Sequence, residues 1–143
     1  MYIFKEILKE LIKEKGLSLR QLSKESNVSA VQYSKYLRGA YPTIEVAVKI
    51  ATYFNCSLDY LFGVSSVNII KTYNPYDISK FTKRYLALLL KNNTTHYMFA
   101  KNNNLSESCL RHWRYGQTLK IESLIIIAIN LSSSIDYLIG RID

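Results

Sequence analysis

The chain has little of the chemistry that announces an enzyme, a secreted scaffold or a membrane protein. Cys56 and Cys109 are its two cysteines, far apart and without a Cys-x-x-Cys pair. A disulfide framework is therefore excluded, and the thiols fit a reducing compartment. His96 and His112 are the two histidines, and neither stands at metal-ligand spacing from a cysteine, so no metal site is expected. The five glycines form no phosphate-cradling loop and no nucleophile elbow. No two acids are placed for general acid–base work, so we expect no catalytic residue, no cofactor and no enzyme. The most apolar run, residues 124–129, is too short to span a bilayer. The first sixteen residues alternate apolar side chains with Lys and Glu, where a secretory signal needs an unbroken apolar stretch. The expectation is a soluble, cytoplasmic protein with no membrane partner.

Acidic residues are also scarce, 11 against 19 Lys and Arg, for a net charge of +8. Residues 1–63 hold 9 basic and 6 acidic side chains and the rest 10 and 5, so both halves share the excess. Such a balance fits a polyanionic partner, although it bears on encounter and solubility rather than on fold.

What the chain has is a repeat. Shifted by 77 positions, residues 4–63 lie on residues 81–140 without a gap, with 15 identities in 60. The pairs Gly39/Gly116, Ile50/Ile127 and Ala51/Ala128 are among them, and Ser-x-Asp-Tyr-Leu-x-Gly closes both copies, at 57–63 and 134–140. Two folding units of this size, each with its own core, follow from that periodicity.

In the first copy Ile3, Phe4, Ile7, Leu8, Leu11 and Ile12 make one helical stripe opposite a face of Lys and Glu, and Gly16 ends it. Ser18 can cap a second helix running to about Glu25, with Leu22 inward. Asn27 stands at a sharp turn, where asparagine tolerates the left-handed conformation. Ser29 caps a third helix, 30–38, with Tyr33 and Tyr36 on one buried face and Gly39 after it. Pro42 and Thr43 start a fourth, whose apolar side is Ile44, Ala47, Val48, Ile50, Ala51 and Phe54. A short fifth helix covers 58–62. Five short helices with a tight turn between the second and third give an all-α unit containing a helix-turn-helix.

The residues Leu22-Ser23, Asn27-Val28-Ser29, Tyr33, Tyr36, Arg38-Gly39, Pro42, Ile50-Ala51 and 58–63 together resemble a Cro/lambda-repressor-type (XRE-family) DNA-binding domain. Where the family usually has Gly and Ala, this chain has Asn27 and Ser23. The resemblance implies an all-α fold of two tandem five-helix lambda-repressor-like helix-turn-helix units. It also implies that the third helix enters the major groove of double-stranded DNA. The implied contacts are Ser29, Ala30, Val31, Gln32, Ser34, Lys35 and Arg38, with Tyr41 and Thr43 on the backbone. Ala30 and Val31 can pack on thymine methyl groups, Gln32 can pair with adenine and Lys35 with guanine. The family often has Gln at the positions of Leu19 and Ala30, so readout here leans to apolar or shape-based recognition.

The second copy keeps the scaffold, with Phe81, Tyr85, Leu88 and Leu89 in its first stripe. Asn104-Leu105-Ser106 stands at its turn, and Leu110 and Trp113 take the buried tyrosine places. The β-branched run 125–127 is read as helix from its register. Its surface differs: Lys9, Glu10 and Lys13 become Leu86, Ala87 and Leu90, and Lys49 and Thr52 become Ile126 and Ile129. Leu86, Leu90, Ile126 and Ile129 therefore form an expected association surface. It meets either a second copy in a homodimer matched to a two-fold operator or unit one of the same chain. The third helix of the second copy offers Glu107, Ser108, Arg111, His112, Arg114 and Tyr115. Arg111 and Arg114 favour DNA and Glu107 opposes it.

The organisation expected is 1–63 as DNA-binding domain, 64–78 as linker and 79–143 as a degenerate second domain for association. The linker carries Val67, Ile69, Ile70, Tyr73 and Tyr76, so it should pack along one unit, with Asp77 or Ser79 capping the next helix. The function expected is a transcriptional regulator, a repressor of phage or mobile-element type. The rival is a helix-turn-helix scaffold that binds a protein, as antirepressors, antitoxins and inhibitors of bacterial nucleases do.

Overall fold

Left-handed residues punctuate the chain at matching places, and helices fill the intervals. A computed structural model describes residues 4–69, 71–114 and 119–143; Ile3, Ile70, Tyr115 and Gly116 lie outside the described residues. All regular structure among these is helical. The chain divides into two compact units, Met1–Lys71 and Thr72–Asp143.

Unit one holds α1 (Phe4–Lys15), α2 (Leu19–Ser26), α3 (Ala30–Leu37), α4 (Ile44–Tyr53) and α5 (Leu58–Leu61). Each start after α1 has a hydroxyl cap: Ser18, Ser29, Thr43 and Ser57 all accept from a backbone N–H. Such a cap contributes about 1 kcal/mol to its helix. The turns fall at Gly16 (φ 67°), Asn27 (φ 60°) and Asn55 (φ 54°). Helix α1 lies on α3 and α5, α2 on α3 and α4, and α4 on α5. Leu8, Leu22, Tyr33, Ile50, Leu58 and Leu61 are completely buried between them. The Phe4 ring anchors one end, 4.7 Å from Phe62 and 5.8 Å from Tyr36.

Unit two holds α6 (Phe81–Lys91), α7 (His96–Asn102), α8 (Cys109–Arg114), α9 (Ile121–Asn130) and α10 (Ile135–Leu138). The isoleucine run at 125–127 is helical, as its register requires. Left-handed residues recur at Asn93, Asn104, Ser132 and Gly140, each 77 positions after its counterpart in unit one. The core gathers on Tyr85, with Phe81, Trp113 and Phe99 rings 5.6–5.9 Å away. Two sequence readings change here. Glu107 and Ser108 precede α8 rather than forming its first turn, and the Ser106 hydroxyl meets the Ser108 hydroxyl and N–H instead of capping at position 109. Leu110 is half-buried, not enclosed as Tyr33 is.

The segment between the units has two allegiances. Asn68 reaches back to unit one, its Oδ1 accepting from Ser57 N–H and its amide donating to the Asn55 carbonyl. Asn74 and Asp77 instead donate backbone N–H groups to the Arg141 and Ile139 carbonyls, at 2.8 and 2.7 Å. Asp77 also caps the 3-10 turn Ile78–Lys80 before α6. The carboxy-terminal residues are fastened further by Arg141, whose guanidinium meets the Asp136 carboxylate at 2.6 Å in a wholly buried pair. Arg84 donates to the Tyr137 and Ile142 carbonyls beside it.

Candidate nucleic-acid interface

The angle between α2 and α3 is fixed by small polar devices. Each helix opens with a reciprocal cap. The Ser18 and Ser29 hydroxyls accept from Gln21 and Gln32 N–H groups, and each glutamine Oε1 accepts in return from the serine N–H. Asn27 turns the chain in the left-handed region, with its N–H on the Ser23 carbonyl. Across the corner the buried Tyr33 hydroxyl donates to Ser26 Oγ at 2.6 Å, and Ser26 passes a hydrogen bond on to the Leu22 carbonyl, also 2.6 Å. Burial pushes the Tyr33 hydroxyl above the usual tyrosine range, and the Ser26 hydrogen bond pulls it partly back.

With Tyr33 and Tyr36 inward, the outer face of α3 carries Val31, Lys35 and, at its C-cap, Arg38. Val31 is 65% exposed. Lys35 and Arg38 are exposed and join no ion pair among the described residues. Ala30, Gln32 and Ser34 are half-buried. The Ser29 and Thr43 hydroxyls accept at their helix caps, which leaves each O–H free to donate to an acceptor outside. Tyr41 is 38% exposed, its ring held flat against Phe4 and Phe62 at 6.0 and 6.2 Å. Pro42 beside it is buried, which fixes the approach to α4.

Residues 8–61 match the family model described as Helix-turn-helix. Unit one is a helix-turn-helix domain. This family binds DNA and regulates, and it is not typically enzymatic. The match covers less than half of the chain and lies wholly within unit one. Neither the curated proteins nor the solved structures yield a match.

In helix-turn-helix complexes generally the first motif helix crosses the sugar-phosphate backbone, which directs attention to α2. Arg20 and Lys24 are exposed on it. Reading α3 alone leaves them out, although their place in the first motif helix was the available signal.

In unit two, Arg111 and Arg114 are exposed on α8. Leu86 and Leu90 lie on α6 and Ile126 and Ile129 on α9. Leu90 is 80% exposed, Ile129 and Leu86 are exposed to a lesser degree, and Ile126 is half-buried. The Asn92 amide reaches the Leu131 carbonyl at 3.3 Å, so α6 and α9 end side by side. His96 receives the Tyr85 hydroxyl at Nδ1, 2.7 Å, and has Nε2 at 3.0 Å from the Glu107 carbonyl. The Cys109 thiol lies 3.7 Å from that Nε2, and burial pushes its pKa up, which disfavours a reactive thiolate. Among the described residues no cluster of three His, Cys, Asp or Glu could hold a metal. Among them, too, no helix is long and apolar enough to cross a membrane.

Proposed function

We propose that the protein is a sequence-specific DNA-binding transcriptional regulator of the repressor type, with unit one reading the major groove and unit two mediating dimerisation. The observation that carries the reading is the outer face of α3, where exposed Val31, Lys35 and Arg38 follow one another at helical spacing behind the Ser29 cap hydroxyl, which has its O–H to spare. Phosphate oxygens accept from such donors, and Arg20 and Lys24 add exposed positive charge on α2. Occupying an operator is sufficient to exclude a polymerase, so repression asks least of a domain of this kind.

Binding to duplex DNA should weaken steeply with salt, with a log–log slope of about −0.9 per phosphate neutralised. Lys35→Ala with Arg38→Ala should make that slope shallower by about two and abolish tight binding without altering the circular dichroism of the protein. Unchanged binding by the folded double variant sinks the DNA reading.

Unit two is read as a degenerate second helix-turn-helix domain, on its five helices and its left-handed residues at the 77-residue offset. Dimerisation through it rests on Leu86, Leu90 and Ile129, exposed where unit one has Lys9, Lys13 and Thr52. Light scattering on the wild type and on Leu90→Glu and Ile126→Glu variants should show a dimer falling to a folded monomer. An unchanged mass would discard this surface. The same apolar residues also suit a protein partner, the reading that gains if the double variant of α3 keeps its biological activity.

A further inference from the structure

In the first turn of α3 the side chain equipped to read a base by hydrogen bonds is Gln32, and the fold has taken it. Bidentate pairing with adenine needs the amide carbonyl to accept while the amide nitrogen donates. Here Gln32 Oε1 accepts from the Ser29 N–H at 3.0 Å. Freeing it would give up the returning half of the capping box, the bond to the Ser29 N–H, although the Ser29 hydroxyl would still hold the Gln32 N–H. Ala30 has no polar atom on its side chain and is half-buried. That leaves Val31, whose side chain stands mostly in solvent one residue earlier.

Valine is a poor choice for an exposed helical position if nothing meets it, since its β-branch restricts it and water gains nothing from its methyls. The restriction becomes useful against a rigid apolar target, because the side chain is already fixed when contact is made. Along the major-groove edges of the four bases there is one apolar group, the methyl on C5 of thymine. Cytosine methylated at C5 presents the same group at the same place.

The geometry points to Val31 as the specificity-determining residue of α3, with a pyrimidine C5-methyl group in the major groove as its ligand, supplied by thymine or by 5-methylcytosine. This rests on the DNA-binding reading of unit one. In consequence cytosine methylation at the contacted step changes operator occupancy.

The test uses the full chain. Duplexes are enriched from a randomised pool, and the winning sequence is remade with uracil at each thymine, and with cytosine or 5-methylcytosine there. Fluorescence anisotropy should show one thymine position per half-site where uracil weakens binding about fourfold, the worth of one buried methyl group. At that position 5-methylcytosine should bind more tightly than cytosine; no difference between those two assigns the contact to thymine alone. Val31→Ala, an exposed change that leaves the fold intact, should bring the thymine-to-uracil ratio close to one with the salt dependence unaltered. Gln32→Ala should keep the ratio. A wild-type protein indifferent to uracil at every position, or a preference lost in Gln32→Ala and kept in Val31→Ala, overturns the proposal. Failure to enrich any sequence removes the DNA-binding reading itself, a separate result.

Discussion

Units one and two place their left-handed residues at the same offsets, yet they hold their second and third helices together by unrelated chemistry. In unit one a hydroxyl relay runs from Tyr33 through Ser26 to the Leu22 carbonyl. In unit two the Tyr33 and Ser26 positions are Leu110 and Asn103, and the work passes to His96, bridging the Tyr85 hydroxyl and the Glu107 carbonyl. The helix that follows differs accordingly. Helix α3 opens on a sealed cap, whereas α8 starts two positions late. The lesson is that turn conformations and a handful of core positions carry the chain path, while the device that stiffens the corner can be exchanged. Precision at the corner matters where a helix must present a fixed face to a groove. It would matter less in a unit used for association, the role we propose for unit two.

The comparison breaks most visibly at the buried Asp136–Arg141 pair, which unit one does not repeat: Val64 stands at the position of Arg141. Asp136→Ala leaves a guanidinium buried without its carboxylate and should cost about 3–5 kcal/mol. Trp113, the single tryptophan and buried in unit two, should report a lowered urea midpoint by its fluorescence. A midpoint unchanged from wild type would mean that the pair contributes nothing to this unit. The corner of unit one should respond more mildly. Tyr33→Phe removes one buried hydrogen bond and should cost about 1 kcal/mol in thermal or chemical unfolding. It should also weaken DNA binding beyond what stability explains if corner precision matters.

A smaller effect is expected at alkaline pH. Burial and then the hydrogen bond and charge of Glu25 push the Tyr53 hydroxyl up to about 12. Because the folded-state value is raised, the stabilisation is whole below the unfolded tyrosine's value of about 10 and fades as pH climbs through that window. Circular dichroism against pH should show the loss starting there, and Tyr53→Phe should lessen it, the remainder belonging to the other buried tyrosines such as Tyr33 and Tyr85; an equally steep loss in the variant would contradict the assignment. The smallest effect is predicted for Arg111→Ala with Arg114→Ala, which should leave operator affinity within about twofold at physiological salt if α8 reads no DNA. A fall as large as that from the α3 double variant would show both units on the duplex.

Much of this was legible in the residues because local signals and global fold agree. Serine and threonine caps, asparagine and glycine at left-handed turns and a tyrosine pair three apart define the helices of unit one almost to the residue. The second unit inherited its boundaries from the repeat, and the repeat failed where substitutions removed the local signal. The Ser106 hydroxyl is taken by Ser108, two residues on, and α8 begins late. The Gln32 side chain looked free because a capping box consumes the same atoms a base would need, and sequence alone does not say which wins. Arg141 lies one residue past the end of the repeat, where periodicity offers no template for pairing it with Asp136.

The divided loyalty of the connecting segment has a practical side. Protein cut after Gly63 would strip Asn68 from the Ser57 N–H and the Asn55 carbonyl, and a fragment starting at Phe81 would abandon the backbone bonds that Asn74 and Asp77 send to the tail. Expression of either half on its own is best divided after Lys71, which keeps the Asn68 bonds in one fragment and the Asn74 and Asp77 bonds in the other.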